Sequence, residues 1–216
     1  PTGLASISVD PEGENRLIGA YGANHSLTPS SLTAEMFAGA SAVLMQLEIP
    51  FETAQRAAKI AQDTGAIVVL NYSPTVEKTQ FDFSTADYLL VNETEAAFLL
   101  EGVVAEVSSD PVAAVQELRR FVPNVVLTLG SRGCTWSTVD GDADSLPAPQ
   151  VKAVDATGAG DAFAGSLVAQ LMRRTGIEDA VRFSNCAGAL AVTKAGAQPS
   201  LPYKQQILAS MDKFLK

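Results

Sequence analysis

Short apolar runs at Ala42–Leu47, Ala66–Leu70, Tyr88–Val91 and Val125–Leu129 alternate with helical segments along the middle of the chain. This alternation restricts the fold more than any other feature. A strand that is apolar at successive positions needs cover on both faces, whereas a strand with one wet face alternates apolar and polar residues. Strands of that kind separated by helices predict an α/β fold, a mostly parallel sheet covered by helices on both faces.

The helices are expected at Phe51–Thr64, stopping before Gly65, at Glu93–Leu100 and at Pro111–Phe121. The last has Asp110 as an N-cap and Pro in its first turn. Further helices are expected at Ala159–Arg174, Ile177–Thr193 and Tyr203–Leu215, and an antiparallel strand near an edge at Cys134–Val139. Upstream, Leu4–Val9 and Arg16–Tyr21 flank Asp10–Asn15, whose Pro, Gly and Asn are turn formers, so a β-hairpin is expected there. The chain thus divides into a hairpin at 1–24 and an α/β core at 25–216.

At 216 residues one good core is expected. The net charge of -9, with no Lys/Arg cluster, argues against a nucleic-acid partner. No apolar run is long enough to span a bilayer and no signal peptide is evident, so a cytoplasmic chain without membrane association is expected. Cys134 and Cys186 lack metal-ligand spacing and read as small buried residues. The single histidine, His25, reads as a loop residue, and Trp136 and the phenylalanines as core.

The chemistry concentrates in Asp155-Ala-Thr-Gly-Ala-Gly-Asp161-Ala-Phe-Ala-Gly165. Gly158, Ala159 and Gly160 let the backbone come close to a bulky ligand. They stand at the start of a helix, where free N–H groups and the positive end of the dipole favour an anion. A carboxylate at Asp161 repels a phosphate unless it takes a proton from an attacking hydroxyl. Phosphoryl transfer follows.

Polar residues also end the strands: Glu48, Asn71, Asn92 and Thr128 with Gly130. In open α/β sheets, ligands bind beyond the carboxyl ends of strands, so these residues are expected to converge on one edge. Asn92 can cap the helix that follows, and Glu95 can close a capping box with it. Equally, Glu95 can order the water shell of Mg²⁺, which prefers oxygen ligands. Thr128-Leu-Gly-Ser-Arg-Gly133 can pass close to a nucleotide and offer it hydroxyls.

The motif from Asp155 to Gly165 resembles the C-terminal signature of the ribokinase-like (PfkB) family of sugar and nucleoside kinases. The resemblance runs from the hairpin to Gly196-Ala-Gln-Pro-Ser200. It implies transfer of the ATP γ-phosphoryl group to a primary hydroxyl of a small sugar, D-ribose first, with fructose, a keto-deoxy acid or a nucleoside as alternatives. A non-catalytic nucleotide-binding fragment is the rival reading.

By resemblance, Asp161 is the base and touches the sugar, and Gly158, Ala159 and Gly160 form the anion hole. Asn92, Thr128, Gly130, Ser131, Gly133 and Asn185 border ATP. Glu95 holds Mg²⁺ through water, and Glu48 approaches the sugar. Asp155, Thr157, Lys194, Gly196 and Ser200 ring a monovalent cation, usually K⁺. The hairpin matches part of the family's lid and is a candidate surface for a homodimer. The family's N-terminal third, with a sugar-binding Asp and the rest of the lid, is expected to be missing from these 216 residues.

Overall fold

The computed structural model describes residues 1–9, 15–75, 81–141 and 143–214. Strands β1 (Leu4–Val9) and β2 (Asn15–Ala20) pair as a two-stranded sheet, as the hairpin pattern predicts. The turn expected at Asp10–Asn15 lies outside the described residues, except Asn15, which opens β2.

A six-stranded sheet has the order β3 (Ala42–Met45), β4 (Ile67–Asn71), β5 (Tyr88–Asn92), β6 (Asn124–Thr128), β7 (Cys134–Ser137), β8 (Ala143–Leu146). The pairs from β3 to β6 are parallel. The short link between β6 and β7 is too brief for a parallel crossover. Consistent with a reversal, Val139, just past β7, donates its N–H to Asn124 Oδ1 at the start of β6 (3.1 Å).

Seven α-helices are described: α1 (Phe51–Asp63), α2 (Glu93–Leu100), α3 (Val104–Ser109), α4 (Pro111–Leu118), α5 (Ala159–Leu171), α6 (Ile177–Ala191) and α7 (Lys204–Phe214). By contacts the chain forms two compact units. One comprises Pro1–Leu4, Ala20–Leu129 and Thr135–Ser145, and the other Ala5–Gly19, Gly130–Cys134 and Leu146–Lys216.

In the first unit, Val68, Leu70, Leu89, Val91, Val125 and Leu127 meet Ala54, Ala58 and Ala61 of α1 and Leu99 and Leu118 of α2 and α4. Val69, Leu90 and Val126, on the alternate face of the strands, are equally shut off from water. Each such side chain contributes roughly 1.5–3 kcal/mol on burial, which fixes the strands' register from both sides. In the second unit a smaller cluster of Ala162, Phe183, Cys186, Ala187, Ala191 and Ile207 joins α5, α6 and α7. Among the described residues, no helix is long and apolar enough to cross a membrane.

Element ends differ from expectation for local reasons. Strand β3 stops at Met45 rather than Leu47, because the Leu47 N–H is given to the Ser73 carbonyl (2.8 Å) instead of a strand neighbour. Helix α4 is opened as expected, with Asp110 Oδ1 accepting from the Ala113 N–H (2.9 Å). It ends at Leu118, since Pro123 disfavours helix at the residue before it and the chain tightens into turns first.

Helix α3 and strand β8 were not expected. The first has no side-chain cap, and the second, Ala-Asp-Ser-Leu, has little apolar content to mark it. His25 sits in a 3-10 turn, Gly22–Ser26, and stacks on Tyr21 with ring centroids 4.9 Å apart. Trp136 is core, but Phe98 is 42% exposed, against the expectation for phenylalanines. Both cysteines are buried and free.

Candidate active site

Two helix starts, one in each compact unit, hold candidate site residues, and they are built differently. Helix α2 begins at the carboxyl end of β5, where Asn92 ends the strand and caps the helix. Asn92 Oδ1 accepts the Glu95 N–H (2.9 Å), and Glu95 Oε2 accepts the Asn92 N–H (2.8 Å). The capping box of the sequence is therefore formed. Glu95 is buried, and desolvation pushes its carboxyl above the usual range, partly opposed by hydrogen bonds from Asn92 and Ser73. The neighbouring strand ends at Thr128, in register with Asn92, and Thr128 Oγ1 donates to the Val91 carbonyl (3.3 Å).

Asn71, Asn92 and Thr128 thus lie at one edge of the parallel sheet, as the strand-end pattern predicts. Glu48 does not end a strand. It lies in the connection between β3 and α1 and is exposed.

Helix α5 starts from Gly158, which has φ +81° and no side-chain cap. A Cβ there would lie 3.3 Å from Ala197 Cα, so both the left-handed backbone and the close approach call for glycine. Ala159 N–H donates to the Ala156 carbonyl at 3.2 Å, and Ala162 N–H to the Gly158 carbonyl at 2.9 Å. The first-turn N–H groups of Gly160 and Asp161 have no acceptor within the helix by its geometry. Asp161 stands third in this helix, and its side chain is exposed.

The loop before Gly158 is held by its own carboxylate. Asp155 Oδ1 accepts the Thr157 N–H (2.9 Å) and Oδ2 accepts the Gly196 N–H (2.8 Å). Gly196 has φ +88°, and Ser200 Oγ donates to the Ala197 carbonyl (2.6 Å). Asp155, Thr157, Gly196 and Ser200 therefore belong to one folded loop pair, while the Lys194 side chain is exposed.

The loop after β6 makes a 3-10 turn over Gly130–Arg132, closed by Gly133 N–H donating to the Gly130 carbonyl (3.1 Å). A Cβ on Gly133, at φ +106°, would come within 1.9 Å of the Leu146 carbonyl oxygen and 2.7 Å of Ala148 N. Only glycine fits. Ser131 is exposed at the tip of this turn. Asn185, expected to border ATP, is buried in α6, and its Nδ2 donates to the Pro147 carbonyl (2.9 Å).

Two residues outside the sequence pattern complete the scaffold, Pro147 and Val192. The repeated proline of Leu146-Pro147-Ala148-Pro149 was the one signal for the first of them. Among the described residues, no group of three or more His, Cys, Asp or Glu side chains could cage a metal ion. A lone buried carboxylate suits Mg²⁺ that keeps much of its water and leans on phosphate oxygens.

Over most of its length the chain is similar to proteins of one family. The model of the pfkB family of carbohydrate kinases matches residues 1–204. A ribokinase of Haemophilus influenzae is 35% identical over 98% of this chain and 69% of its own. A ribokinase of Schizosaccharomyces pombe is 33% identical over 93% and 65%, and a deoxyribokinase of Salmonella typhi 30% identical over 95% and 68%. The crystal structure of a Thermotoga maritima ribokinase superposes with a TM-score of 0.84 at 33% identity, covering 98% of this chain and 70% of that one. An Arabidopsis thaliana ribokinase, solved with ribose and ATP, gives 0.84 at 28% identity over 98% and 69%. These 216 residues span about two thirds of such relatives, and by both the family model and the relatives the chain belongs to the pfkB family of carbohydrate kinases.

Proposed function

We propose that the chain catalyses ATP-dependent phosphorylation of D-ribose at its primary hydroxyl, giving ribose 5-phosphate. The observation that carries this reading is the start of α5, a helix N-terminus left without a side-chain cap beside an exposed Asp161. Such a terminus offers N–H groups to an anion, and a carboxylate in the same turn is a base in reach of an incoming hydroxyl.

In this reading Asp161 takes the proton of the sugar hydroxyl while that oxygen bonds to the γ-phosphorus. The bond from the γ-phosphorus to the β–γ bridging oxygen breaks, and ADP leaves. The N–H groups of Gly158, Ala159 and Gly160 hold the charge that develops on the transferring group. The Ala159 N–H leaves its long bond to Ala156 to do so.

Asn92, Thr128, Gly130, Ser131 and Gly133 line the nucleotide, and Glu48 turns toward the sugar. Glu95 would hold Mg²⁺ through the ion's water shell, and the bound ion would supply positive charge to the nucleotide phosphates. One Glu95 oxygen already accepts the Asn92 N–H, so the carboxylate is fixed in place for that task. Asp155, Thr157, Lys194, Gly196 and Ser200 would hold a K⁺ ion, whose charge would stiffen this loop pair. Residues 1–24 act as part of a lid, and residues 25–216 as the nucleotide-binding core. The bare apolar residues of the hairpin, Leu4 at 72% and Ile18 at 79% exposure, support a homodimer through it.

A coupled assay of ADP release tests the reading, with ribose, deoxyribose, fructose, a keto-deoxy acid and adenosine, each with and without K⁺. Ribose is expected to give the highest kcat/KM, with stimulation by K⁺. ADP binding without sugar-dependent ADP release from any of them would leave only a nucleotide-binding module.

A further inference from the structure

Helix α6 touches the site's loops along one stripe. Asn185, Gly188 and Val192 are spaced by three and four residues, so they share a face. Asn185 Nδ2 donates to the Pro147 carbonyl at 2.9 Å. The Val192 carbonyl, at the C-cap of α6, accepts from both Val154 N–H (2.7 Å) and Asp155 N–H (3.2 Å). Between them, a Cβ on Gly188 would lie 3.4 Å from the Ala159 carbonyl oxygen and 3.9 Å from Phe163 Cβ, so the first turn of α5 rests on this glycine.

The stripe therefore bears on each end of the 147–155 segment and on the start of α5. The 146–148 stretch is in turn the wall against which Gly133 packs. Asn185 is an expensive choice for that position. It is a poor helix former, and a buried amide is costly unless it is bonded. One of its two amide N–H groups is given to a backbone carbonyl, and only 6% of the residue is exposed.

We infer that the Asn185–Gly188–Val192 face of α6 is a positioning surface that sets the Gly130–Gly133 turn and the Gly158 loop for one nucleotide. Asn185 acts through Pro147 and does not read the base. The inference rests on the nucleotide-binding reading above. It assigns Asn185 a different part in that reading: affinity for any purine nucleotide depends on it, and the choice of purine does not.

The test is calorimetric titration of the full chain with ADP and with IDP, which carries the same diphosphate on a different base. Asn185→Asp keeps the volume and removes the donor, and it is expected to weaken both ligands by the same factor, about tenfold. Gly188→Leu, which breaks no hydrogen bond, is expected to weaken both likewise by displacing the start of α5. Asp179→Asn, at an exposed position in the first turn of the same helix and off this face, is expected to change neither. In turnover, the KM for ATP rises and the KM for the sugar stays. Circular dichroism checks folding, and Asn185→Ala replaces Asn185→Asp if the latter unfolds.

Weakened ADP binding with unchanged IDP binding would show a base contact and overturn the inference. So would unchanged affinity for both in a folded Asn185 variant. If the unsubstituted chain binds neither nucleotide, the nucleotide reading fails first and the inference falls with it.

Discussion

The starts of α2 and α5 pose the same physical problem and solve it in opposite ways. Each helix leaves its first N–H groups without partners in the helix. Helix α2 answers internally, with Asn92 and Glu95 closing a capping box. Helix α5 begins at a glycine in the left-handed region and has no side-chain cap. Removing a good N-cap costs about 1 kcal/mol, though a glycine there loses only a few tenths relative to Asn. The contrast teaches that α2 is closed on itself and presents a fixed, buried carboxylate, whereas α5 has no side-chain cap, and in the proposed reading its donors serve the phosphate.

The largest expected effect comes from the open terminus. Asp161→Asn removes the proposed base, and kcat in the ADP-release assay is expected to fall by about 10²–10⁴-fold while the Kd for ADP stays within a few-fold. Retained turnover would take Asp161 out of that role.

Gly158→Ala comes next. The φ of +81° and the 3.3 Å approach to Ala197 Cα are expected to cost about 1–2 kcal/mol in chemical denaturation, with a matching loss of ADP affinity. Asn92→Ala tests the closed terminus. It is expected to cost about 1 kcal/mol in the same measurement, by loss of the cap. If Asn92→Ala weakened ADP binding more than Gly158→Ala did, the contrast between the two helix starts would be reversed.

A smaller effect is expected from Glu95→Gln. Burial raises the Glu95 carboxyl above its ordinary value, so the folded state holds the proton more tightly than the unfolded chain does. Stability from this group is complete below the ordinary carboxyl range and is lost as pH rises through the raised value. Glu95→Gln removes that loss, so thermal unfolding at pH 7 is expected slightly above the unsubstituted chain, with a weaker response of activity to Mg²⁺. The smallest effect is a null result. Burial pushes the Cys134 thiol up to about 12 and the Cys186 thiol to about 11, so neither is expected to react with a thiol reagent at pH 8 until the chain unfolds.

Much of this was legible in the residues. The apolar runs at Val68–Leu70, Leu89–Val91 and Val125–Leu127 need cover on both faces, and the structure buries them on both. Asn92 and Glu95 signal a capping box at a spacing of three, and that box is present. The short helix α3 and the polar strand β8 were not legible, because neither carries a cap or an apolar period. The stop of β3 at Met45 depends on a hydrogen bond from Leu47 to Ser73, a residue distant in the chain.

The sequence by itself determined the local chemistry: an uncapped helix start with a carboxylate in its first turn, a capped one with an acid at its third position, and glycines where the backbone must turn left. Spacing along the chain is enough for that, since caps and turns involve neighbours only. Tertiary structure alone decided what the side chains answer to. It joined Asp155 to Gly196, closed Gly133 against Leu146 and spent the Asn185 amide on Pro147. Such pairings are between residues far apart in sequence, which no local pattern encodes.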